Sequence, residues 1–158
     1  MLKKIILILA IFINLAGRSQ DFDFAARRET DSLKNLLPGS GTQDQVDILN
    51  ELASIYAPLN FDSSIYYSAQ AMRIATINGY SYGIGCSRLY TGNAYYYKMD
   101  FRNAVLSYLS ATRILEENRK WKELGEIYFI LAQINFYIMR SDKSFLYYRK
   151  LRYAQHRG

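Results

Sequence analysis

Residues 92–111 read GNAYYYKMDFRNAVLSYLSA, and this stretch decides the fold. Small and aromatic residues recur through it at helical spacing, at Gly92, Tyr95, Ala104, Tyr108 and Ala111. Small residues let two helices approach closely, and tyrosine rings fill the space between paired helices. Asp100 stands between the two halves and can cap the second one through its carboxylate. The stretch therefore predicts two packed helices joined by a short turn.

The same residue types recur along the chain at a step of 40 residues. The sets that keep this step are Leu49, Leu89 and Phe129; Leu52, Gly92 and Ala132; Tyr56, Tyr96 and Phe136; Ser64, Ala104 and Ser144; and Ala71, Ala111 and Leu151. A fixed period between about 20 and 50 residues is typical of stacked repeat proteins, which bind partners on a continuous surface. We therefore expect an all-α stack of antiparallel helix hairpins.

Turn signals divide the chain into about seven helices after its first 19 residues, and no segment alternates as a strand would. The first helix is expected over residues 22–37, where Pro38-Gly39 ends it. Asn78-Gly79 ends a later helix with a left-handed cap. The helix over residues 80–98 contains three glycines. Because each glycine costs a helix about 1 kcal/mol, we expect this helix to be the least regular, above all across residues 80–86.

Side chains that can cap a helix mark several of the expected helix starts. Thr42 and Gln45 match the capping box, in which a hydroxyl residue precedes a glutamine by three positions. Asp62 and Ser141 stand where two later helices are expected to begin.

The first 19 residues have the pattern of a secretory signal peptide. Lys3 and Lys4 precede an apolar run over residues 5–15, and the small residues Gly17 and Ser19 follow. Cleavage is expected after Ser19, with Gly17 as the alternative; a second alternative is an N-terminal anchor that is kept. The run is shorter than the ~20 apolar residues that a membrane span needs. We therefore expect an exported protein of the periplasm or cell envelope.

The expected domains follow from these signals. They are a signal peptide over residues 1–19, an N-terminal helix with its linker over residues 20–41, and a set of three repeats over residues 42–158. The three repeats are expected at about 42–79, 80–119 and 120–158.

The formal charge of +6 is concentrated at the two ends of the chain. Lys3, Lys4 and Arg18 lie in the expected signal peptide, and six basic residues with a single acid follow position 139. The body between them is weakly acidic, so a nucleic-acid partner is not expected. The basic end is either the solvated face of a last helix or a segment that approaches a membrane or an acidic partner.

No catalytic, cofactor or metal site is expected from the sequence. The lone Cys86 has no partner for an internal disulfide and is expected to be a small buried residue. His156 has no cysteine or second histidine nearby, which argues against a metal. Gly83-Ile84-Gly85 opens like a phosphate-binding loop, but no strand precedes it and Arg88 replaces the required glycine.

The residues of the middle unit resemble the tetratricopeptide repeat. Small and aromatic residues stand at offsets 0, 3, 12, 16 and 19 in Gly92, Tyr95, Ala104, Tyr108 and Ala111. The last unit follows the pattern more loosely from Ala132, and the first unit from Leu52. The first hairpin registers better from Ala53, which implies one extra turn residue before Asp62. The resemblance implies a right-handed superhelical stack of hairpins.

In this family the concave groove is lined mainly by the first helix of each repeat. Carried onto this chain, the resemblance implies a peptide-binding groove in which the middle and last units supply Asn93, Tyr96, Tyr97, Gln133, Phe136 and Tyr137. The first unit would add Ala53, Tyr56 and Ala57. Amides can bond an extended backbone, and aromatic rings give contact area at low entropy cost. The alternative for Tyr96 and Phe136 is a place in the core between units.

The chain also resembles the exported N-terminal repeat regions of Bacteroidetes tetratricopeptide-repeat sensor and regulatory proteins, through residues 31–38 (DSLKNLLP) and 92–96 (GNAYY). The resemblance implies a non-enzymatic protein- or peptide-binding module in a sensory or scaffold role. One alternative is a structural module that self-associates through an uncapped last helix. Another is a truncated fragment of a histidine kinase or transcriptional regulator of this family.

Overall fold

The computed structural model describes residues 24–138 and 141–158, and all regular structure in them is helical. The helices are α1 (24–36), α2 (Thr42–Tyr56), α3 (Phe61–Ile77), α4 (Ser81–Tyr97), α5 (Phe101–Glu117), α6 (Trp121–Tyr137) and α7 (Ser141–Gln155). No strand occurs in these residues, and no helix among them is both long and apolar enough to cross a membrane. The all-α prediction is confirmed for this part of the chain.

Three predictions lie outside the described residues. They are the signal peptide with its cleavage after Ser19, the start of the first helix before residue 24, and the cap that the Ser141 side chain would supply.

The chain divides into two units, with the division between Pro38 and Gly39. Helix α1 is the described part of the first unit. The second unit contains three consecutive hairpins, α2–α3, α4–α5 and α6–α7, whose helices pack against each other. In the middle hairpin Asn118, just after α5, bonds Ser81 at the start of α4 over 3.0 Å, so these two helices run antiparallel.

Helix α4 lies at the centre of the second unit. It packs against its hairpin partner α5, against both helices of the preceding hairpin, and against α6. The other contact between hairpins joins α5 to α6. Neighbouring hairpins are thus stacked in chain order, as the 40-residue step predicts; the right-handed path of the stack stays a prediction.

The core of the second unit lies between α4, α5 and α6. Its fully buried large side chains include Leu89, Tyr108, Leu115, Leu124, Ile127 and Leu131. Burying one such side chain stabilises the fold by about 1.5–3 kcal/mol. Two sets of the 40-residue step in which most residues are small are also buried: Leu52, Gly92 and Ala132 on the first helices, and Ser64, Ala104 and Ser144 on the second helices.

The glycines of α4 are contact points, and the helix is continuous through them from Ser81. A Cβ at Gly92 would come within 2.6 Å of the Tyr108 ring, so the ring of α5 lies directly on the backbone of α4. A Cβ at Gly85 would come within 2.8 Å of Leu115 in the same way. The expectation of an irregular segment over residues 80–86 is therefore wrong, because packing at the glycines offsets their low helix propensity.

Two of the predicted caps are confirmed. The Asp100 carboxylate accepts a hydrogen bond from the Asn103 backbone N–H over 3.2 Å, as expected of an N-terminal cap. This bond also holds the pKa of Asp100 below its ordinary value. Gly79 has a left-handed φ of 65°, and Asn78 before it is the capping residue that follows Ile77 at the end of α3.

Two other predicted caps are wrong. Helix α2 begins at Thr42, so Gly41 is the capping residue and no side chain caps it. Helix α3 is capped by Asn60, whose side-chain oxygen accepts from the Ser63 N–H over 2.8 Å. Asn60 lies 40 residues before Asp100, so the cap of α3 keeps the register of the 40-residue step. The turn over residues 57–60 is one residue longer than the turn over residues 98–100, because α2 ends one residue earlier relative to that step. This confirms the extra turn residue expected in the first hairpin.

Left-handed backbone also follows the 40-residue step. Gly39, Gly79 and Arg119 have φ values of 89°, 65° and 54° at the ends of α1, α3 and α5. Met99, between α4 and α5, has a φ of 62°. Left-handed backbone costs a residue other than glycine about 1–2 kcal/mol, so glycine would be the locally preferred residue at positions 99 and 119, where the chain has Met99 and Arg119.

We expect Gly92→Ala to lower the free energy of unfolding by about 1–3 kcal/mol, because the Tyr108 ring is fully buried and cannot move away from a new methyl group. The control is Gly125→Ala in α6, where the nearest atom to a Cβ would be 3.6 Å away. That variant should be stabilised by up to about 1 kcal/mol through helix propensity. Urea denaturation measures both changes. Equal changes in the two variants would contradict the close packing at Gly92.

Candidate functional site

The six residues of the predicted groove lie on the two adjacent helices α4 and α6, and the structure places them at different depths. Asn93 is buried, and Tyr96 and Gln133 are half-buried. The large rings of Tyr97, Phe136 and Tyr137 are 55%, 69% and 65% exposed. The alternative that Phe136 is a core residue is therefore wrong, whereas Tyr96 is partly packed.

The Asn93 amide is bonded at both ends inside the chain. Its oxygen accepts a hydrogen bond from the Tyr108 hydroxyl over 2.7 Å, and its nitrogen donates to the Glu126 carboxylate over 2.8 Å. Asn93 thus links α4 to α5 and to α6, and an outside peptide would have to compete with both bonds. A buried amide needs such partners, and these lie 15 and 33 residues away in the chain.

The neighbouring interface, between α2 and α4, also contains a buried amide. Asn50 donates from its nitrogen to the Gly83 carbonyl over 3.1 Å and accepts at its oxygen from the Ser87 hydroxyl over 2.9 Å. Both contacts between successive first helices therefore include an asparagine with two partners, and burying such an amide without them would cost about 1–3 kcal/mol.

Gln133 is less committed than Asn93. The Tyr96 hydroxyl donates to its side-chain oxygen over 3.5 Å, which is long for such a bond. Burial of the Tyr96 hydroxyl raises its pKa, with smaller contributions from Tyr137 and Tyr97. Gln133 therefore keeps an amide that an extended peptide backbone can reach.

Three of the predicted residues meet in an open pocket of about 480 Å³, here called the aromatic pocket. Its lining residues are Tyr96, Tyr97, Met99, Phe101 and Tyr137. The Tyr96 ring lies 5.5 Å from the Tyr97 ring and 6.0 Å from the Phe101 ring, measured between centroids. Sequence reasoning missed Met99 and Phe101, because Met99 belongs to the turn after α4 and Phe101 begins α5, so neither lies on the first helix of the repeat.

The first hairpin contributes less to this surface than the repeat pattern implied. Ala53 and Ala57 are buried, and the Tyr56 ring stacks on Tyr67 with their centroids 5.5 Å apart. The exposed aromatic surface is therefore concentrated on the last two hairpins.

A second, polar cavity of about 360 Å³ lies between α2 and α4 and is here called the polar cleft. Its lining residues are Asp47, Asn50, Glu51, Ser54, Tyr82, Cys86 and Tyr90. Tyrosine hydroxyls hold two nearby carboxylates: Tyr80 donates to Asp47 over 3.1 Å, and Tyr82 donates to Glu123 over 2.8 Å. Partial burial raises the pKa of Asp47, although the bond from Tyr80 opposes the shift.

Cys86 is buried in the wall of the polar cleft, as predicted. Burial raises the pKa of its thiol to about 12, and the charges of Glu123 and Asp47 act in the same direction. The thiol is therefore protonated at neutral pH and is a poor nucleophile. Within the described residues, no three His, Cys, Asp or Glu side chains are grouped closely enough to hold a metal ion.

Helix α7 exposes both aromatic and basic side chains. Phe145, Tyr148 and Tyr153 are 75%, 41% and 52% exposed. Two of its basic groups lie over rings of the chain itself: Lys150 over Tyr128 at 5.4 Å and Arg157 over Tyr153 at 5.2 Å from the ring centroids. The basic end is thus partly occupied with contacts to its own aromatic residues.

No protein-family model, curated protein sequence or solved structure matches this chain. The aromatic pocket, the polar cleft and the exposed face of α7 are therefore the features that bear on function.

We expect Asn93→Ala to destabilise the fold by about 1–3 kcal/mol, because it leaves the buried Tyr108 hydroxyl without its acceptor. The control is Glu126→Gln, in which the side-chain oxygen still accepts from Asn93 and the loss should stay below about 1 kcal/mol. Thermal and urea denaturation measure both variants. An Asn93→Ala protein as stable as the wild type would show that this amide is free to serve binding alone.

Proposed function

We propose that this chain is a non-enzymatic repeat module that binds a protein or an extended peptide at the aromatic pocket and the adjoining ends of α4 and α6. The observation that carries the proposal is the exposure, by more than half, of Tyr97 and Tyr137, which line one open pocket, and of Phe136, whose ring centroid lies 6.4 Å from that of Tyr137. Contiguous exposed apolar surface of this kind marks interaction sites in soluble proteins. Tyrosine is also among the residues that contribute most to binding energy at interfaces.

The residues of the predicted groove take two roles in this proposal. Tyr97, Phe136 and Tyr137 contact the partner, and Gln133 bonds its backbone. Asn93 acts as a positioning residue, because its bonds to Tyr108 and Glu126 hold α4, α5 and α6 together beneath the rings. The resemblance of residues 92–111 to a tetratricopeptide repeat supports the same assignment, since first helices line the groove in that family.

The proposed place of action is the periplasm or cell envelope, in a sensory or scaffold role. The support is the signal-peptide pattern over residues 1–19, together with the resemblance to exported repeat proteins of the Bacteroidetes.

A second candidate function is self-association through α7. It is favoured by the exposed rings of Phe145, Tyr148 and Tyr153 on that helix. Light scattering distinguishes the two candidates, because a protein that stays monomeric at high concentration cannot be an oligomerisation module.

The test of the proposed function is affinity capture from a cell-envelope extract, with the captured proteins quantified by mass spectrometry. The wild type is compared with the double variant Tyr97→Ala/Tyr137→Ala and with Tyr66→Ala, a control tyrosine on α3 that is 58% exposed. Because all three rings are exposed, none of the variants should unfold. We expect the double variant to recover at least about tenfold less partner, equivalent to about 1.4 kcal/mol, and the control to recover as much as the wild type.

Equal recovery of every protein by all three forms would exclude the aromatic pocket as the binding surface. Partner loss in the Tyr66→Ala control alone would move the surface to α3.

A further inference from the structure

Met99 is an exposed apolar residue in an unfavourable backbone conformation at the edge of the aromatic pocket. Its side chain is 76% exposed and its φ is 62°, a region that favours glycine. This conformation is the left-handed cap that ends α4, in which the Met99 N–H donates to the Tyr96 carbonyl and the Asp100 N–H to the Tyr95 carbonyl, each over 2.9 Å. Arg119 has the same kind of backbone at the opposite end of α5, away from the pocket, and so provides a comparison.

The aromatic pocket is suited to a single bulky apolar group. Its volume of about 480 Å³ lies in the range of pockets that hold small ligands. Four aromatic rings and the Met99 thioether line it, and methionine adapts its shape to the group it contacts.

Carboxylates continue from this pocket along the same side of α6. Glu123, Glu126, Gln133 and Tyr137 are spaced by three, seven and four residues, which places them on one side of the helix. The Glu123 and Glu126 carboxylates are held by Tyr82 and by Asn93. Each carboxylate keeps lone pairs beyond the one bond described, so each can still accept from a partner.

Among the described residues neither carboxylate has an ion pair, although Lys122 lies one helical turn before Glu126. Two other lysines are turned onto aromatic rings. The Lys98 nitrogen lies 3.9 Å from the centroid of the Phe61 ring, and the Lys120 nitrogen lies 4.1 Å from that of Tyr82. The ion pair found in the described part of the chain is Lys34 with Asp31, in α1. Lys120 and Lys122 offset part of the charge of Glu123 and Glu126. Burial raises the pKa of the Tyr90 hydroxyl, and a third carboxylate, Glu51 of α2, acts together with both in the same direction, so this surface remains negatively charged and complements a cation.

We infer that the surface takes an extended peptide segment in which one large apolar side chain enters the aromatic pocket and basic side chains lie along Glu126 and Glu123. This inference rests on the proposed function and names the chemistry of its partner. Tyr137 lies 11 positions after Glu126, which corresponds to about 16 Å along the helix. An extended peptide covers that distance in about five residues, which sets the spacing between its basic and apolar side chains.

The test uses fluorescein-labelled synthetic peptides and fluorescence anisotropy. The probe is Lys-Lys-Ser-Gly-Ser-Gly-Phe-Ser-Gly, with its reversed sequence as a second probe, because either direction of the chain can be bound. Two control peptides replace the lysines with glutamate or the phenylalanine with serine. We expect one probe to bind at least about tenfold more tightly than both of its controls, with an affinity that falls as ionic strength rises.

Protein variants identify the residues responsible. Met99→Gly and the double variant Glu123→Gln/Glu126→Gln should each weaken binding of the probe by about tenfold, and the second should also reduce the dependence on salt. Arg119→Gly and Glu117→Gln are matched controls outside the surface and should bind as the wild type does. Circular dichroism melts show whether each variant is folded.

Two results would overturn the inference: equal binding of the lysine and glutamate peptides, or unchanged binding by the glutamine double variant. Neither affects the proposed function, which depends on the separate test with Tyr97 and Tyr137. The inference would equally be overturned if the protein self-associated, or sedimented with neutral lipid vesicles, and Met99→Gly abolished that behaviour. The pocket would then be assigned to a second copy of the chain or to a lipid surface.

Discussion

The position of the Tyr108 side chain is the constraint on which the arrangement of the last two hairpins depends. Its ring lies on the backbone of α4 at Gly92, and its hydroxyl bonds Asn93, one residue further along the same helix. Asn93 in turn bonds Glu126 on α6. The Tyr108 ring therefore sets the distance between α5 and α4, because Gly92 has no Cβ to keep it away. The Tyr108 hydroxyl also bonds the Asn93 amide, which bonds Glu126, and so it orients α6 as well. Apolar burial alone would hold these helices together without fixing their register.

The same arrangement separates structural residues from contact residues on α4. Gly92 and Asn93 face neighbouring helices, whereas Tyr97 lies one turn further along, where the helix ends and its side chain reaches solvent. The proposed binding surface consequently lies at the ends of α4 and α6 and in the turn after α4. Rings at helix ends project beyond the packed region, so they can be exposed without disturbing the core beneath them.

Much of the fold could be predicted from the sequence, because the 40-residue step records which positions must be small. Gly92 and Ala104 are buried, as their residue types require. The site was harder to predict. The role of Asn93 depends on Glu126, 33 residues away, and no local pattern records such a pairing. Asn60 and not Asp62 caps α3, because Asn60 lies 40 residues before Asp100 and directly precedes the first helical residue. Met99 lies in a turn, outside the helical period on which the groove residues were chosen.

The central place of α4 has a consequence for how the second unit loses its structure. In the described residues, α2 and α3 pack against α4 and against no later helix. Contacts between neighbours of this kind give a nearly one-dimensional system, in which an end hairpin can open while the remainder stays folded. Opening of α4, by contrast, disconnects the first hairpin from the rest. Partly unfolded forms of this unit should therefore keep α4 longest, and they would shed the α2–α3 hairpin as a whole.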